Sequence, residues 1–172
     1  MPLLDAKGHY TADRFLRLAG SEAAGHPQVL VSLADLPAAL AVRGGAQQIG
    51  VEIANTVEIT TLAPYLEALA LIGIIFPAYS DGRGFTLAKR LRREGFTGAL
   101  RVIGPVIADQ FAYGLACGFD EVELPEANAA RQPAEHWVKA AAAYSATYQR
   151  GYIRGVNILD QRRAARLEGR NG

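Results

Sequence analysis

The short run Asp81-Gly82-Arg83-Gly84 contains the residues best suited to chemistry in this sequence. It follows the apolar run 71–76 and precedes a helical pattern, so it is predicted to lie where a strand ends and a helix begins, the position at which α/β proteins bind ligands. The glycines allow close approach of the backbone, the first helical turn offers unpaired N–H groups, and Arg83 can hold an oxyanion through two hydrogen bonds. These features favour a site for phosphate, sulfate, sulfite or a carboxylate.

The same loop also has a purely structural interpretation. Asp81 can cap the following helix and pair with Arg83, while the glycines only relieve backbone strain. The run is short and lacks the spacing of the GxGxxG and Walker A phosphate-binding loops. The sequence leaves both interpretations open.

Arg101, Asp109 and Gln110 are further candidates for a ligand site. Arg101 lies inside the predicted strand 99–103, where a charged residue is costly unless it is paired, at a sheet edge or at a ligand site. Asp109 and Gln110 open the next predicted helix. Asp109 can complement the N-terminus of that helix, or it can pair with Arg101 or Arg83.

Glu52, Asn55 and Cys117 are weaker candidates. Glu52 and Asn55 stand near the end of a predicted strand, towards the sheet edge where Asp81 is expected, and can supply polar ligands or a general base. Cys117 stands at a helix C-terminus, where the dipole raises the pKa of a thiol, so we expect a buried, unreactive group rather than a nucleophile. With one cysteine, three scattered histidines and no dinucleotide fingerprint, we expect no metal site and no bound cofactor.

Five short runs rich in β-branched residues predict the strands that position these candidates. The runs alternate with helical segments at the spacing of strand–helix–strand units, which favours a parallel sheet. We therefore predict a single α/β domain with about five parallel strands alternating with helices, in an open twisted sheet or a partial (βα) barrel. The predicted strands are 29–33, 49–53, 71–76, 99–103 and 121–124.

The composition of these runs predicts their places in the sheet. The run 71–76 is apolar throughout, as expected of a central strand that is covered on both faces. The runs 49–53 and 121–124 carry glutamates, so we expect them closer to an edge. Towards the N-terminus, the turn residues Lys7-Gly8 predict a short strand or hairpin, followed by a small helix.

Helix signals and the C-terminal composition complete the predicted domain. Helices are expected over 84–94 and 107–117, and a last helix is expected to begin near Pro133. The exposed side of that last helix can form a homodimer contact. We predict one domain over 1–154 and a charged, flexible tail over 155–172.

The overall composition is that of a packed globular protein. The chain has 172 residues, of which 50% are hydrophobic and 20% charged, and its formal net charge is +1. This balance excludes a disordered chain and gives no general attraction to nucleic acid or acidic lipid. No apolar run approaches the roughly 18 residues of a membrane span. We expect a cytoplasmic protein that binds neither nucleic acid nor membrane.

The segment 76–124 resembles a bacterial family known as domain of unknown function 934. The family pattern combines a DGRG run, a later strand containing Leu-Arg, an Asp-Gln pair and a Cys-Gly-Phe-Asp run. Three positions depart from it, because Thr86, Pro105 and Ala108 stand where Ser, Asp and Arg are usual. The matching residues are Asp81, Gly82, Arg83, Gly84, Phe85, Ala88, Leu91, Arg92, Leu100, Arg101, Gly104, Val106, Asp109, Gln110, Cys117, Gly118, Phe119 and Asp120.

The resemblance implies a role in assimilatory sulfate and sulfite reduction, because family members are described as involved in sulfite reduction. We expect an accessory protein that binds an oxyanion such as sulfite, sulfate or phosphate at the loop 81–84, or that docks on sulfite reductase. A second hypothesis is a small α/β enzyme that acts on an anionic substrate with Asp81 or Asp109 as general base. A third is a structural subunit that stabilises the reductase through the last helix. The absence of a nucleophile or metal set disfavours the enzyme.

Overall fold

The structure is a computed structural model that describes residues 1–145. The predicted tail over 155–172 and the predicted domain boundary at 154 lie outside the described residues. Within residues 1–145, no helix combines the length and the apolar character needed to cross a bilayer.

Within residues 1–145, eight strands and six α-helices build one α/β domain. The strands are β1 (Leu3–Leu4), β2 (Tyr10–Thr11), β3 (Leu16–Arg17), β4 (Gln28–Ser32), β5 (Gln48–Ala54), β6 (Leu69–Ile75), β7 (Ala99–Ile103) and β8 (Glu121–Glu123). The helices are α1 (Leu36–Ala41), α2 (Ile59–Leu62), α3 (Arg83–Arg93), α4 (Ala108–Ala116), α5 (Glu126–Ala129) and α6 (Ala134–Ser145), with two short 3₁₀ turns at Gly20–Ala23 and Ala63–Ala68.

All strands belong to a single sheet in the order β2-β1-β8-β7-β6-β5-β4-β3. Strands β4 to β8 correspond to the five predicted strands and are parallel neighbours in chain order, which confirms the predicted α/β domain, while β3 adds a sixth parallel strand beside β4. The structure adds three short strands from the first 17 residues. The sheet is mixed because β1 runs antiparallel to both β2 and β8, so the hairpin predicted at Lys7-Gly8 is confirmed.

The two faces of the sheet differ in chemistry, because successive side chains along a strand point to opposite sides. One face carries aliphatic side chains such as Val51, Ile72 and Val102, which pack with the helices into the hydrophobic core. The opposite face carries Glu52 and Arg101, in register with each other through Gly73 of the intervening strand. A charged row therefore crosses the face of the sheet that the helices leave uncovered.

The N-terminal segment covers this charged face. Strands β2 and β3 form the two opposite edges of the sheet, yet only residues 12–15 separate them in the chain. Five residue steps span at most about 18 Å, so the edges must approach each other and the sheet must curl. The result is a partial barrel, and residues 12–15 form a strap across its interior.

The strand order agrees with the expected strand positions. Strands β5 and β8, which contain the glutamates of the runs 49–53 and 121–124, are each third from an edge, whereas β6 is fourth. Their charges face the interior of the partial barrel, where they meet arginines. Strand β6 does lie well inside the sheet, as its apolar sequence predicts.

Candidate functional site

The loop 81–84 lies between β6 and α3, at the C-terminal edge of the parallel strands. The Asp81 carboxylate accepts the backbone N–H of Arg83 at 3.2 Å and also two guanidinium N–H groups, with Nε 2.9 Å from Oδ1 and Nη2 2.6 Å from Oδ2. The Arg83 side chain is 63% exposed and that of Asp81 is 16% exposed. In this structure the two charges of the loop pair with each other, as the structural interpretation of the sequence proposed.

The Asp81 carboxyl group has a pKa well below its ordinary value. The main cause is the hydrogen bonding from Arg83, and the side-chain amide of Asn55 acts in the same direction. A carboxylate with such a low pKa has no proton to donate at neutral pH and is a weak base. Asp81 is therefore better suited to pairing with a cation than to general acid–base catalysis.

The two glycines of the loop have different roles. Gly84 is buried, and a Cβ atom added there would lie 2.3 Å from the ring of Phe76. Gly82 has φ −77°, and the nearest atom to an added Cβ is 4.0 Å away. Gly84 is thus required by the close packing of α3 against the strand end, whereas neither packing nor backbone conformation requires Gly82.

Asn55 carries an unpaired donor next to this loop. It follows β5, the strand adjacent to β6, and is only 7% exposed. Its amide is near enough to Asp81 to lower the pKa of that residue, yet Nδ2 makes no hydrogen bond of normal geometry. A buried N–H group without an acceptor costs about 1–3 kcal/mol. This donor is the feature beside the loop that favours an oxygen ligand at this position.

Gln110 connects the loop region to the start of α4. Its Nε2 atom donates to the backbone oxygen of Tyr79 at 2.7 Å, and its Oε1 atom accepts the backbone N–H of Ile107 at 3.3 Å. Asp109 is exposed in the first turn of the same helix and takes part in none of the ion pairs among residues 1–145. The structure thus places Gln110 near the loop as a positioning residue and leaves Asp109 in solvent.

Arg101 lies away from this loop, in the interior of the partial barrel. Its side chain is 1% exposed. Both carboxylate oxygens of Asp13, in the strap, accept hydrogen bonds from the guanidinium, from Nη1 at 2.7 Å and from Nη2 at 2.8 Å. Glu121 accepts from Nε at 2.8 Å, and Glu123 accepts from Nη1 at 3.0 Å. Arg101 therefore pairs with three carboxylates and not with Asp109.

Arg17 extends this network across the barrel. Its guanidinium donates to Glu52 of β5 at 2.5 Å and to Glu123 of β8 at 2.6 Å. Strands β5 and β8 are three strand spacings apart, which is about 14 Å in a flat sheet. One side chain contacts acids from both strands because the sheet curls around it. We call Asp13, Arg17, Glu52, Arg101, Glu121 and Glu123 the Arg101 cluster.

Two acids of the Arg101 cluster have pKa values shifted in opposite directions. Burial alone would raise the pKa of Asp13, but the hydrogen bonds and the charge of Arg101 outweigh it, so the pKa is lowered. Burial also raises the pKa of Glu121, and there the same guanidinium does not compensate. The cluster thus contains one firmly ionised acid and one acid that is ionised at a cost.

The structure divides the predicted ligand residues between two places. Asp81, Gly82, Arg83 and Gly84 lie together at the C-terminal edge, with Gln110 connected to them through Tyr79, and Arg101 lies in the interior. The sequence analysis did not single out Asp13, Arg17, Glu121 or Glu123. The signal that could have found the glutamates is the alternation Glu121-Val122-Glu123, which places two acids on one face of a strand.

Cys117 and the acidic groups give no sign of redox or metal chemistry in the described part of the chain. Cys117 is fully buried, and burial raises the pKa of its thiol, so it is a poor nucleophile. Among residues 1–145, no group of three or more histidine, cysteine, aspartate or glutamate side chains is placed to hold a metal ion.

The fold and the loop define an α/β protein of the partial-barrel type with a polar C-terminal edge. Residues 50–156 match the model of a family described as bacterial protein of unknown function, DUF934, and the chain belongs to that family. The match includes the loop 81–84 and Arg101 but begins after the strap. No curated protein and no solved structure matches the chain.

Proposed function

We propose that this protein is an accessory protein of sulfite reduction that binds a small oxyanion at the loop 81–84. The observation that carries the proposal is the buried Asn55 Nδ2 atom, which lies beside the loop without an acceptor. The sulfite-reduction setting comes from the family resemblance. The choice of an oxyanion comes from the chemistry of the loop, where an arginine and a helix N-terminus are adjacent.

The donors available to an oxyanion are of three kinds. The Arg83 guanidinium is exposed and can present two parallel N–H groups. Helix α3 has 11 residues, and its first backbone N–H, that of Arg83, donates only to Asp81 at 3.2 Å, so release of Asp81 frees it for an oxyanion. The Asn55 amide supplies a neutral donor from the neighbouring strand. Together they match the oxygens of a sulfite, sulfate or phosphate ion.

Asp81 occupies the place that the oxyanion would take. Its two oxygens hold the Arg83 guanidinium in the geometry that a bound oxyanion requires. Ligand binding then exchanges one negative partner of Arg83 for another, and Asp81 is a competitor rather than a ligand. This exchange separates oxyanion binding from the enzyme hypothesis, in which Asp81 would be needed as a base.

The test is isothermal titration of the wild-type protein with sulfite, sulfate and phosphate, followed by three variants. Arg83→Ala should lower the affinity for the bound anion at least tenfold, because a charge-assisted bidentate contact is lost. Asn55→Ala should also lower it. Asp81→Asn should raise it, because the competing charge is removed and Arg83 becomes free.

The matched control is Arg90→Ala, which removes the same charge from α3. Arg90 is exposed and lies seven residues further along the helix, about 10 Å from the loop. Its removal should leave the affinity unchanged within about twofold. Binding of none of the three anions, or an Asp81→Asn variant that binds more weakly than wild type, would contradict the proposal.

Docking on sulfite reductase is a second candidate, favoured by the exposed side chains around the same loop. Tyr79 is 59% exposed and Ile107 is 37% exposed, and both flank Gln110. Aromatic and arginine side chains are enriched in protein interfaces. If purified sulfite reductase binds the wild-type protein, Tyr79→Ser should weaken the complex more than Arg90→Ala does. Equal affinities of the two variants would argue against docking at this edge.

A further inference from the structure

A cavity lies between the strap and the strands, lined by residues that are distant in sequence from the loop 81–84. Its volume is about 400 Å³. Residues 11–15 line one side, and Arg101 and Glu121 line the other, with Leu3 and Asp5 completing the wall. The volume falls within the range of small-molecule sites, about 300–1,000 Å³. The strap and the sheet together thus form an open pocket large enough for a small organic molecule.

The charges around this cavity are not balanced. The side chains that line it carry three carboxylates, those of Asp5, Asp13 and Glu121, and two guanidinium groups, those of Arg14 and Arg101. The rest of the Arg101 cluster adds two carboxylates and one guanidinium group. Surplus negative charge is unfavourable in a partly buried, low-dielectric environment unless a cation compensates it.

The hydrogen bonding of Glu121 leaves room for such a cation. Its Oε1 atom accepts from Arg101, and none of the hydrogen bonds found among residues 1–145 uses its Oε2 atom. The Arg101 guanidinium already donates hydrogen bonds to Asp13, Glu121 and Glu123, and these bonds fix the positions of the three carboxylates. The guanidinium therefore orients two carboxylates towards one cavity without neutralising the whole cluster.

We propose that this cavity binds a small organic molecule through an ammonium group placed between Asp13 and Glu121. An ammonium carries three N–H donors and a positive charge, so it can donate to the free Oε2 atom of Glu121 and to an Asp13 oxygen that Arg101 already contacts. A bare metal ion is a poorer fit, since no three histidine, cysteine, aspartate or glutamate side chains among residues 1–145 are placed to hold one together. The side chains of Leu3 and Phe15 supply apolar surface for the carbon skeleton of the ligand.

The experiment is a thermal-melt screen of the wild-type protein with putrescine, spermidine and the twenty L-amino acids. At least one of these ammonium compounds should raise the melting temperature, because it binds only the folded state. The neutral counterpart of the active compound should have no effect: 1,4-butanediol for putrescine, or the N-acetyl derivative for an amino acid. If none of the compounds raises the melting temperature, the proposal is overturned.

Variants then locate the bound compound. Glu121→Gln should weaken its binding at least tenfold, because it removes the charge and keeps the oxygen that contacts Arg101. Glu126→Gln, an exposed position in α5, removes the same charge and should leave binding unchanged. Ala12→Phe fills the cavity from the exposed strap without changing any charge, so it should abolish binding even if Glu121→Gln fails to fold.

Retention of full affinity in Ala12→Phe would show that the compound binds elsewhere and would overturn the proposal. The variants leave the loop 81–84 intact, and the ligands are cations rather than anions. Failure of this proposal and failure of the oxyanion proposal are therefore distinguishable.

Discussion

Arg83 and Arg101 make the same contact with an aspartate but differ in almost everything else. Each uses two N–H groups to hold both oxygens of one carboxylate. Arg83 reaches Asp81, two residues away, and is 63% exposed, whereas Arg101 reaches Asp13, 88 residues away, and is 1% exposed. The comparison shows that ion-pair geometry alone does not reveal what an arginine contributes.

The sequence separation explains part of the difference. Asp81 and Arg83 remain close in the unfolded chain, so their pairing changes little on folding. Asp13 and Arg101 meet only when the strap crosses the sheet. Burial explains the rest, because water screens the exposed pair and is excluded from the interior one. The loop can therefore exchange partners at low cost, while the Arg101 cluster holds the partial barrel together.

The largest expected difference between the two arginines is in the free energy of unfolding of their methionine variants. Arg101→Met leaves three carboxylates without their shared cation and should lower the free energy of unfolding by about 3–5 kcal/mol. Arg83→Met should leave that free energy unchanged within experimental error, because the side chain is exposed and its partner can be solvated. Urea denaturation of both variants at pH 7 gives the comparison.

Arg90→Met serves as the control, since it removes an exposed arginine without a hydrogen-bonded partner in the described structure. It should behave like Arg83→Met. If Arg83→Met were as destabilising as Arg101→Met, the loop pair would be structural and the oxyanion exchange at Asp81 would be untenable.

The sequence predicted what depends on local patterns. The β-branched runs predicted the five parallel strands, because residues of a buried strand are mostly apolar and β-branched. The Asp81–Arg83 pair was one of two interpretations of the loop, since a spacing of two residues places both groups together in a turn. The charged residues of β5 and β8 correctly placed these strands closer to an edge than β6, but they did not show that the charges face a polar interior.

The partners of Arg101 could not be predicted in the same way. Asp13 reaches Arg101 only because β2 and β3 occupy opposite edges and residues 12–15 cross between them. This topology depends on short pairings of two residues each, which leave no periodic pattern in the sequence. The sequence could not predict the unpaired Asn55 donor either, because its lack of an acceptor depends on which polar atoms lie near it in the folded protein.

A smaller effect separates the two glycines of the loop. Gly84→Ala forces a Cβ atom against the Phe76 ring and should lower the free energy of unfolding by about 1–3 kcal/mol. Gly82→Ala adds a Cβ in open space at an ordinary backbone conformation and should cost less than about 1 kcal/mol. Urea denaturation of the two variants measures the difference, and equal losses would contradict the packing role of Gly84.

The smallest effect concerns the pH dependence of the Arg101 cluster. The pKa of Glu121 is raised from its ordinary value of 4.5, so the folded protein binds the Glu121 proton more tightly than the unfolded chain does. The resulting stabilisation is complete below pH 4.5 and is lost as the pH rises through the folded pKa. For Asp13 the sign is opposite, since a lowered pKa gives stability that is lost only below about pH 3.8.

Glu121→Gln isolates the first of these effects, because glutamine stays neutral and keeps an oxygen for the Nε–H of Arg101. Relative to wild type, the variant should become more stable as the pH rises from 4 to 7, since wild type alone has to ionise a buried carboxyl group over that range. Urea denaturation at each pH unit measures the difference. Glu126→Gln, which removes an exposed acid, should show no such trend.

A Glu121→Gln variant that loses stability relative to wild type over the same range would mean that Arg101 more than compensates the burial of Glu121. The interior would then stabilise the ionised form of Glu121, as the loop stabilises that of Asp81, and the two regions would differ only in their exposure to solvent.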